Sequence, residues 1–350
     1  MKKNKKIINV GNIQIGNESI IVQSMTNTLT TDVKATLNQI EKCFIAGAEI
    51  MRCSVPDQES SQAMKEICKK SPVPIVADIH FHYKRAIESI EAGAKCIRIN
   101  PGNMRKEHVA EIIKVIKDHE NCAIRIGVNA GSLEASLLEK YKEPCADAMV
   151  ESAMNSAKMI EDMGFNQMKI SVKASNVKLM VKSYRKLHEI SPYPLHLGVT
   201  ESGTRNIGTI KSSIGIGSLL LDGIGDTIRV SVSIPPEDEV KIAYDILKSI
   251  GIKSRGVNII SCPSCARQGF DVCKIASEIE AKVEKINKNL TISILGCIVN
   301  GIGEAMHSNI GIVGMPDKKH LIYINGILDH KLTQSQDLIE HVLKIIENWK

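Results

Sequence analysis

The chain has 350 residues, 43% of them hydrophobic and 24% charged, with a net charge of +6, which suits one large soluble domain and a smaller one. Only 3% of residues are aromatic, and Trp349 is the one tryptophan. The core must therefore be built from Ile, Val, Leu, Ala and Met, and single-stranded nucleic acid, which wants stacking platforms, is excluded as a ligand. No apolar run reaches membrane length and the N-terminus has no secretory h-region, so the expected location is the cytoplasm and the ten cysteines are expected as reduced thiols or metal ligands.

The opening lysines Lys2, Lys3, Lys5 and Lys6 read as a solvated tail, and residues 7–21 (IINVGNIQIGNESII) as a small hairpin with Gly-Asn turns. A unit then recurs every roughly 25–30 residues: a short β-branched run, a polar loop and an amphipathic helical stretch. The eight runs are IIVQSM at 20–25, EIMRCSV at 49–55, PIVADIH at 74–80, CIRIN at 96–100, AIRIGVN at 123–129, QMKISVK at 167–173, PLHLGVT at 194–200 and TIRVSVS at 227–233. Helices are expected between them, among them 32–46, 59–70, 82–92, 107–119 and 146–163, several ending in Gly (Gly47, Gly93, Gly164) as a C-cap requires. Eight βα units indicate an α/β fold, a (β/α)8 TIM barrel, over residues 1–250. A doubly wound sheet would want a Gly-rich phosphate fingerprint after its first strand, and there is none. A last barrel helix is expected at 237–250. Residues 256–350 carry the strand runs VNIIS, LTISIL, IGIVGM and LIYING with helices at 267–287 and 334–348, the pattern of a small α+β domain.

Active sites of such barrels are built from the C-terminal strand ends. Those ends supply Arg52, Asp78 with His80, Arg98 with Asn100, Arg125 with Asn129, Lys173, Glu201, and Arg229 with Ser231. Alternation puts Arg98/Asn100, Asp78/His80 and Arg229/Ser231 each on one side of their strand. Cations from five strands converging on one mouth need an anion, and guanidinium groups bind phosphate oxygens bidentately, so a di- or polyphosphate is the expected occupant. Glu201 and Asp78 are candidates to orient hydroxyls, move protons or balance an arginine. His80 is a candidate phosphate donor or acid. Lys169 and Lys211 are read as solvated or structural, and His82 and His196 as structural.

The second constellation is Cys262-Pro263-Ser264-Cys265 with a Gly-rich loop at 296–304 carrying Cys297 and Glu304. A C-x-x-C pair alone is shared by zinc ribbons, redox dithiols and iron–sulfur sites. Here no second C-x-x-C or His pair completes a zinc quartet, and three thiolates with a weaker carboxylate donor suit an iron–sulfur cluster. The remaining Cys43, Cys53, Cys68, Cys96, Cys122, Cys145 and Cys273 are expected as small buried hydrophobes. Structural zinc on a phosphate-binding barrel and a substrate-free electron carrier stay open as rivals.

The segments QSMTNTLTT (23–31), ADIHF (77–81), RINPGN (98–103), RIGVNAGS (125–132), SVKAS (171–175), VTESG (199–203), GIGDTIRVS (223–231) and the CPSC…GCIVNGIGEA pair follow one another in an order that resembles the 4-hydroxy-3-methylbut-2-enyl diphosphate synthases of the non-mevalonate isoprenoid pathway, in their two-domain bacterial form. The resemblance implies reductive opening of 2-C-methyl-D-erythritol 2,4-cyclodiphosphate with loss of water. It also implies a 4Fe-4S cluster on Cys262, Cys265 and Cys297 with Glu304 as displaceable fourth ligand, and a flavodoxin or ferredoxin as electron donor. A homodimer is implied, in which one subunit's cluster domain caps the other's barrel. By the same resemblance Arg52, Arg98, Arg125 and Lys173 grip the diphosphate. Asp78, His80, Asn100, Asn129, Glu201, Arg229 and Ser231 line the pocket around it. Ile302 stands where the family usually has Pro, Ala266 where it has Gly, and His307-Ser308-Asn309 where an Ala-Asp run is usual. Without the Pro, the loop around Ile302 is expected to hold Glu304 less rigidly.

Overall fold

A computed structural model describes residues 5–80, 82–284, 286–316, 319–332 and 335–349; Lys2, Lys3, Phe81 and Gln334 lie outside them. The chain divides into two compact units, Met1–Lys253 and Ser254–Lys350.

In the first unit the eight β-branched runs form parallel strands: Ile21–Met25, Ile50–Ser54, Ile75–Asp78, Cys96–Ile99, Ala123–Asn129, Met168–Lys173, His196–Leu197 and Thr227–Ile228. Their order in the sheet is sixth, fifth, fourth, third, second, first, eighth, seventh, and a parallel bridge between Ile170 and Leu195 brings the sixth strand back to the seventh. The sheet is thus the barrel that the repeat predicts. Helices start where a short polar side chain can satisfy a free amide: Asp32 accepts from the Ala35 N–H at 2.9 Å, Asp57 from Ser60 at 2.8 Å and Asn176 from Leu179 at 2.9 Å. Gly47 ends the first helix with φ +115°, a left-handed conformation that a Cβ would disfavour.

The N-terminal hairpin, Ile8–Val10 paired with Ile13–Ile15, packs Ile8, Val10 and Ile15 against Ile21, Ile50, Val76, Cys96 and Ala123. Those five residues are the first or second of their strands, so the hairpin plugs the N-terminal end of the barrel and leaves the C-terminal end for the site. Outside the barrel, an aliphatic core dominated by Ile, Val, Leu and Ala fills the space between sheet and helices.

The second unit is a five-stranded sheet in the order Val257–Ser261, Leu290–Leu295, Ile310–Gly314, His320–Ile324, Ile327–Leu332, parallel across the first three and antiparallel thereafter. Helices Val272–Val283 and Ser335–Glu347 contribute Val272, Ile275, Ile279, Leu338, Val342 and Ile346 to its core. Two sequence expectations fail here. The helix expected from 267 starts only at Val272, because Asp271 caps it by accepting from the Lys274 N–H at 3.0 Å. The segment 296–304 is not a loop: Ile298–Met306 is an α-helix with Cys297 at its N-cap. Glu304 and Ile302 therefore lie within a helix and not in a loop.

Candidate active site

A TIM barrel normally fills its axis with branched aliphatic side chains. Here the layer above the plug is charged. Arg52, Arg98, Arg125, Lys169 and Lys173 are each at most 8% exposed, and Asp78 is 4% exposed. The register explains the convergence, since Asp78 pairs with Arg98, Arg98 with Arg125, and Arg125 with Lys169 across neighbouring strands. Their side chains therefore share one face, the inner one.

Asp78 is the hub. Its carboxylate accepts from Arg98 Nη1 at 3.3 Å, lies 3.9 Å from Arg52 Nε and is 3.4 Å from His80 Nε2. Burial pushes its carboxyl up, but Arg52, the His80 hydrogen bond, Arg98 and Arg125 outweigh that and hold it well below the usual range. Arg98 also donates to the Gly127 carbonyl at 3.3 Å, and the Asn129 amide, turned with its oxygen inward, accepts from Arg98 Nη2 at 3.2 Å. Arg52 points its Nε and Nη2 at the Met25 sulfur.

The cations outnumber their counter-charges. Arg98 Nε, Arg125 Nε and Nη1, Arg229 Nε and Lys169 Nζ are buried with no hydrogen-bond partner among the described residues, as are both amide atoms of Asn100. Burial, then the charges of Arg125, Arg229, Arg52 and Arg98, push the Lys173 ammonium well below its ordinary value. Burial and the guanidinium groups of Arg52 and Arg98 do the same to Arg125. Buried donors of one sign without partners are unstable alone and stable around a polyanion.

Beside this ring a cavity of about 730 Å³ opens among the ends of the first, seventh and eighth strands, lined by residues that include Asn27, Glu201, Arg229, Ser231 and Glu239. Glu201 is exposed and sits at φ +52°. Arg229 Nη2 lies 3.7 Å from Glu239. His80 is half exposed, with its ring 3.2 to 3.3 Å from Arg98 Nη1.

Of the two readings of Lys169, solvated or structural, the first is overturned: it is 0% exposed in the barrel interior, and burial lowers its ammonium to about 8. His196 is buried with Nδ1 2.7 Å from Thr227 Oγ1, while His82 is exposed. Sequence reasoning passed over Met25, Glu239, Gly127 and Gly198. A Cβ on Gly127 would lie 2.4 Å from Arg98 Nε, and one on Gly198 would lie 2.5 Å from the Arg229 carbonyl and 2.8 Å from Lys173 Nζ. Glycine inside a strand signals such close approach, and both stand in the strand runs in plain view.

In the second unit Cys262 follows directly on the strand Val257–Ser261, and Cys297 comes two residues after the adjacent strand Leu290–Leu295, to which the first is registered through Ser261 and Ile294. The Gly296 N–H donates to Cys262 Sγ at 3.3 Å. Cys265 is exposed, Cys262 and Cys297 are partly exposed, and all three are free thiols. Glu304 is exposed two helical turns beyond Cys297, hence on the same side of that helix. Among the described residues no three His, Cys, Asp or Glu side chains converge at the spacing of a single metal ion. A tetranuclear cluster spaces its thiolates more widely than one ion does, and accessible thiols at adjacent strand ends with an amide aimed at sulfur are the donor set it takes. The residues fit an iron–sulfur cluster. Of the other cysteines, Cys43, Cys53, Cys96 and Cys122 are buried, as expected, and burial lifts Cys43 to about 12 and Cys53 to about 11. Cys68 and Cys145 are only partly buried. Cys273 is exposed, because it lies on the solvent side of the first turn of helix Val272–Val283.

A family model described as the GcpE TIM-barrel domain matches residues 5–244, and one described as the GcpE protein C-terminal domain matches residues 258–348. The chain belongs to the GcpE family. It is 53% identical to a protein of Ruegeria sp. (strain TM1040) over 99% of this chain and 92% of the relative. It is 51% identical to one of Zymomonas mobilis over 99% and 92%, and 53% identical to one of Rhodospirillum rubrum over 97% and 90%. All three carry the name 4-hydroxy-3-methylbut-2-en-1-yl diphosphate synthase (flavodoxin). Among solved structures, a dihydropteroate synthase from Coxiella burnetii in complex with pteroic acid superposes with a TM-score of 0.48 at 12% identity, covering 69% of this GcpE chain and 98% of that one.

Proposed function

We propose that the chain converts 2-C-methyl-D-erythritol 2,4-cyclodiphosphate to 4-hydroxy-3-methylbut-2-enyl diphosphate and water, consuming two electrons and two protons. The observation that carries this reading is the ring of buried, partly unpaired cations around Asp78 at the open end of the barrel. Arg52, Arg98, Arg125 and Lys173 hold the diphosphate, whose charge balances theirs. As the ring opens, the diphosphate leaves carbon with growing negative charge, and preformed guanidinium groups stabilise that charge at no reorganisation cost. Asn100, Asn129, Arg229 and Ser231 orient the rest of the molecule, and Glu201 and His80 are the solvent-accessible acids at the mouth from which a proton is drawn. Cys262, Cys265 and Cys297, with Glu304 as the weaker ligand, would hold a 4Fe-4S cluster. When bound, that cluster supplies single-electron transfer and a Lewis-acidic iron. A flavodoxin, named in the relatives, or a ferredoxin is the electron donor, and the enzyme works as a cytoplasmic homodimer without nucleic acid or membrane partners. Among the described residues no helix is long and apolar enough to cross a membrane.

Purified without oxygen, the protein is expected to hold about four irons and four acid-labile sulfides per chain, to bleach on dithionite, and to turn over the cyclodiphosphate with that reductant. Stoichiometric zinc without sulfide after anaerobic reconstitution would reduce the three cysteines to a structural site and sink the reductase reading. A sharper test of the cation ring is Gly127→Ala. The added methyl displaces the Arg98 side chain. A loss of roughly 10-fold in kcat/KM is expected, worth about 1.4 kcal/mol of transition-state stabilisation. Unchanged kinetics would show that Arg98 is not used where it lies.

A further inference from the structure

Helix Pro236–Ser249 opens with three acids, Glu237, Asp238 and Glu239, an ordinary arrangement for a helix N-terminus. They part company in the fold. Asp238 pairs at the surface with Arg205 at 2.6 Å and Lys241 at 3.3 Å. Glu239 turns inward and is 5% exposed. One carboxylate oxygen accepts from the Val232 N–H at 2.9 Å; the other accepts from the Ser24 hydroxyl at 3.4 Å and lies 3.7 Å from Arg229 Nη2.

The Val232 contact is served as well by a neutral amide oxygen, the Ser24 hydroxyl has a second acceptor in the Pro236 carbonyl at 3.4 Å, and a buried charge costs more than a buried amide. The charge is explained by the third contact. Arg229 reaches the rim of the 730 Å³ cavity, and its Nε is buried without a partner among the described residues. At 3.7 Å the pairing restrains one edge of the guanidinium and leaves Nε to a ligand. Glu239 is itself held by the strand-end loop through Val232, and it shares the Ser24 hydroxyl of the first strand with the Pro236 carbonyl, so the carboxylate is tied at both oxygens.

We infer that Glu239 is a positioning residue for Arg229, fixing the guanidinium toward the cavity through an anchor tied to two strand ends. The inference rests on the reading of this mouth as the substrate site, and its test separates the two. In the full-length, cluster-loaded protein, the Arg229 Nε–H resonance, identified by its loss in Arg229→Lys, is expected to be sharp and to broaden or vanish in Glu239→Gln. Turnover of the cyclodiphosphate by Glu239→Gln is expected to fall roughly 10-fold in kcat, with an unfolding midpoint close to that of the parent, and the same substitution in an Arg229→Lys background is expected to add less than about 2-fold. Should Glu239→Gln fail to fold, Glu239→Asp withdraws the carboxylate while keeping its charge, and the same broadening is expected. An unchanged Arg229 resonance overturns the inference, as does an equal fall in kcat in both backgrounds. A parent protein that does not turn over the cyclodiphosphate overturns the proposed reaction, and the resonance still decides the role of Glu239.

Discussion

Replacing Cys297 by Ser is expected to remove the bound cluster and to lower turnover by more than the roughly 100-fold that loss of an outer-shell partner of a metal ligand costs. Cys297 stands where two features meet: it follows the central parallel strand of the second unit, and it is the N-cap of helix Ile298–Met306. The positive end of that helix favours a negatively charged ligand. Serine is close to cysteine in size and is a favoured N-cap residue, so the fold of the unit is preserved, but its oxygen is a harder and far less acidic donor than a thiol and does not replace thiolate on iron–sulfur. Iron and sulfide per chain and the visible spectrum read the first effect, and anaerobic turnover the second. Cys273→Ser serves as the control, since that thiol is exposed on another helix of the same unit and is expected to leave both unchanged. Full cluster content and turnover in Cys297→Ser would remove Cys297 from the ligand set.

The barrel was legible because its signals are local. Period-two runs such as Cys96–Ile99 and Ala123–Asn129 came out as strands within a residue or two of their expected ends, and Gly47, Gly93 and Gly164 all adopt positive φ after their helices. The cation ring was legible because barrel topology fixes which strand end faces the mouth, so Arg98 and Arg125 could be placed from parity alone. Helix Ile298–Met306 was not. Gly301 and Gly303 are poor helix formers, and propensity argued for a loop. What overrides it is packing: a Cβ on Gly301 would lie 2.5 Å from Val313 Cγ1, so the helix needs glycine to approach the strand Ile310–Gly314. Lys169 shares the parity of Lys173, yet nothing in its neighbours in sequence tells a buried ammonium from a rim one. Glu239 was hidden for a related reason, since acids in a first helical turn are favourable wherever they point.

Asp78→Asn is expected to destabilise the protein by about 3–5 kcal/mol at pH 7, the cost of breaking a buried ion pair and leaving its partner uncompensated. The substitution is isosteric, so packing is unchanged and the effect is electrostatic. Arg52, Arg98 and Arg125 then face one another with no carboxylate between them, and the donors already lacking partners gain another among them. The pH dependence fixes the interpretation. The Asp78 carboxyl is depressed in the folded protein, so its stabilising contribution is fully present above the unfolded value of about 4 and is lost as pH falls toward the lower folded value. The gap between parent and variant is therefore widest at neutral pH and narrows below about pH 4. Urea midpoints of the full chain at pH 7 and at progressively lower pH measure it. Two consequences of opposite sign follow from the same cause. Inorganic diphosphate binds the variant more tightly and restores part of its stability, because an anion now supplies the missing charge and binds only the folded state. Turnover falls, because the guanidinium groups that Asp78 held in register no longer meet the substrate in one arrangement. A midpoint at pH 7 equal to that of the parent, with equal diphosphate affinity, would mean that the ring is balanced elsewhere and that its cations are not poised for an anion.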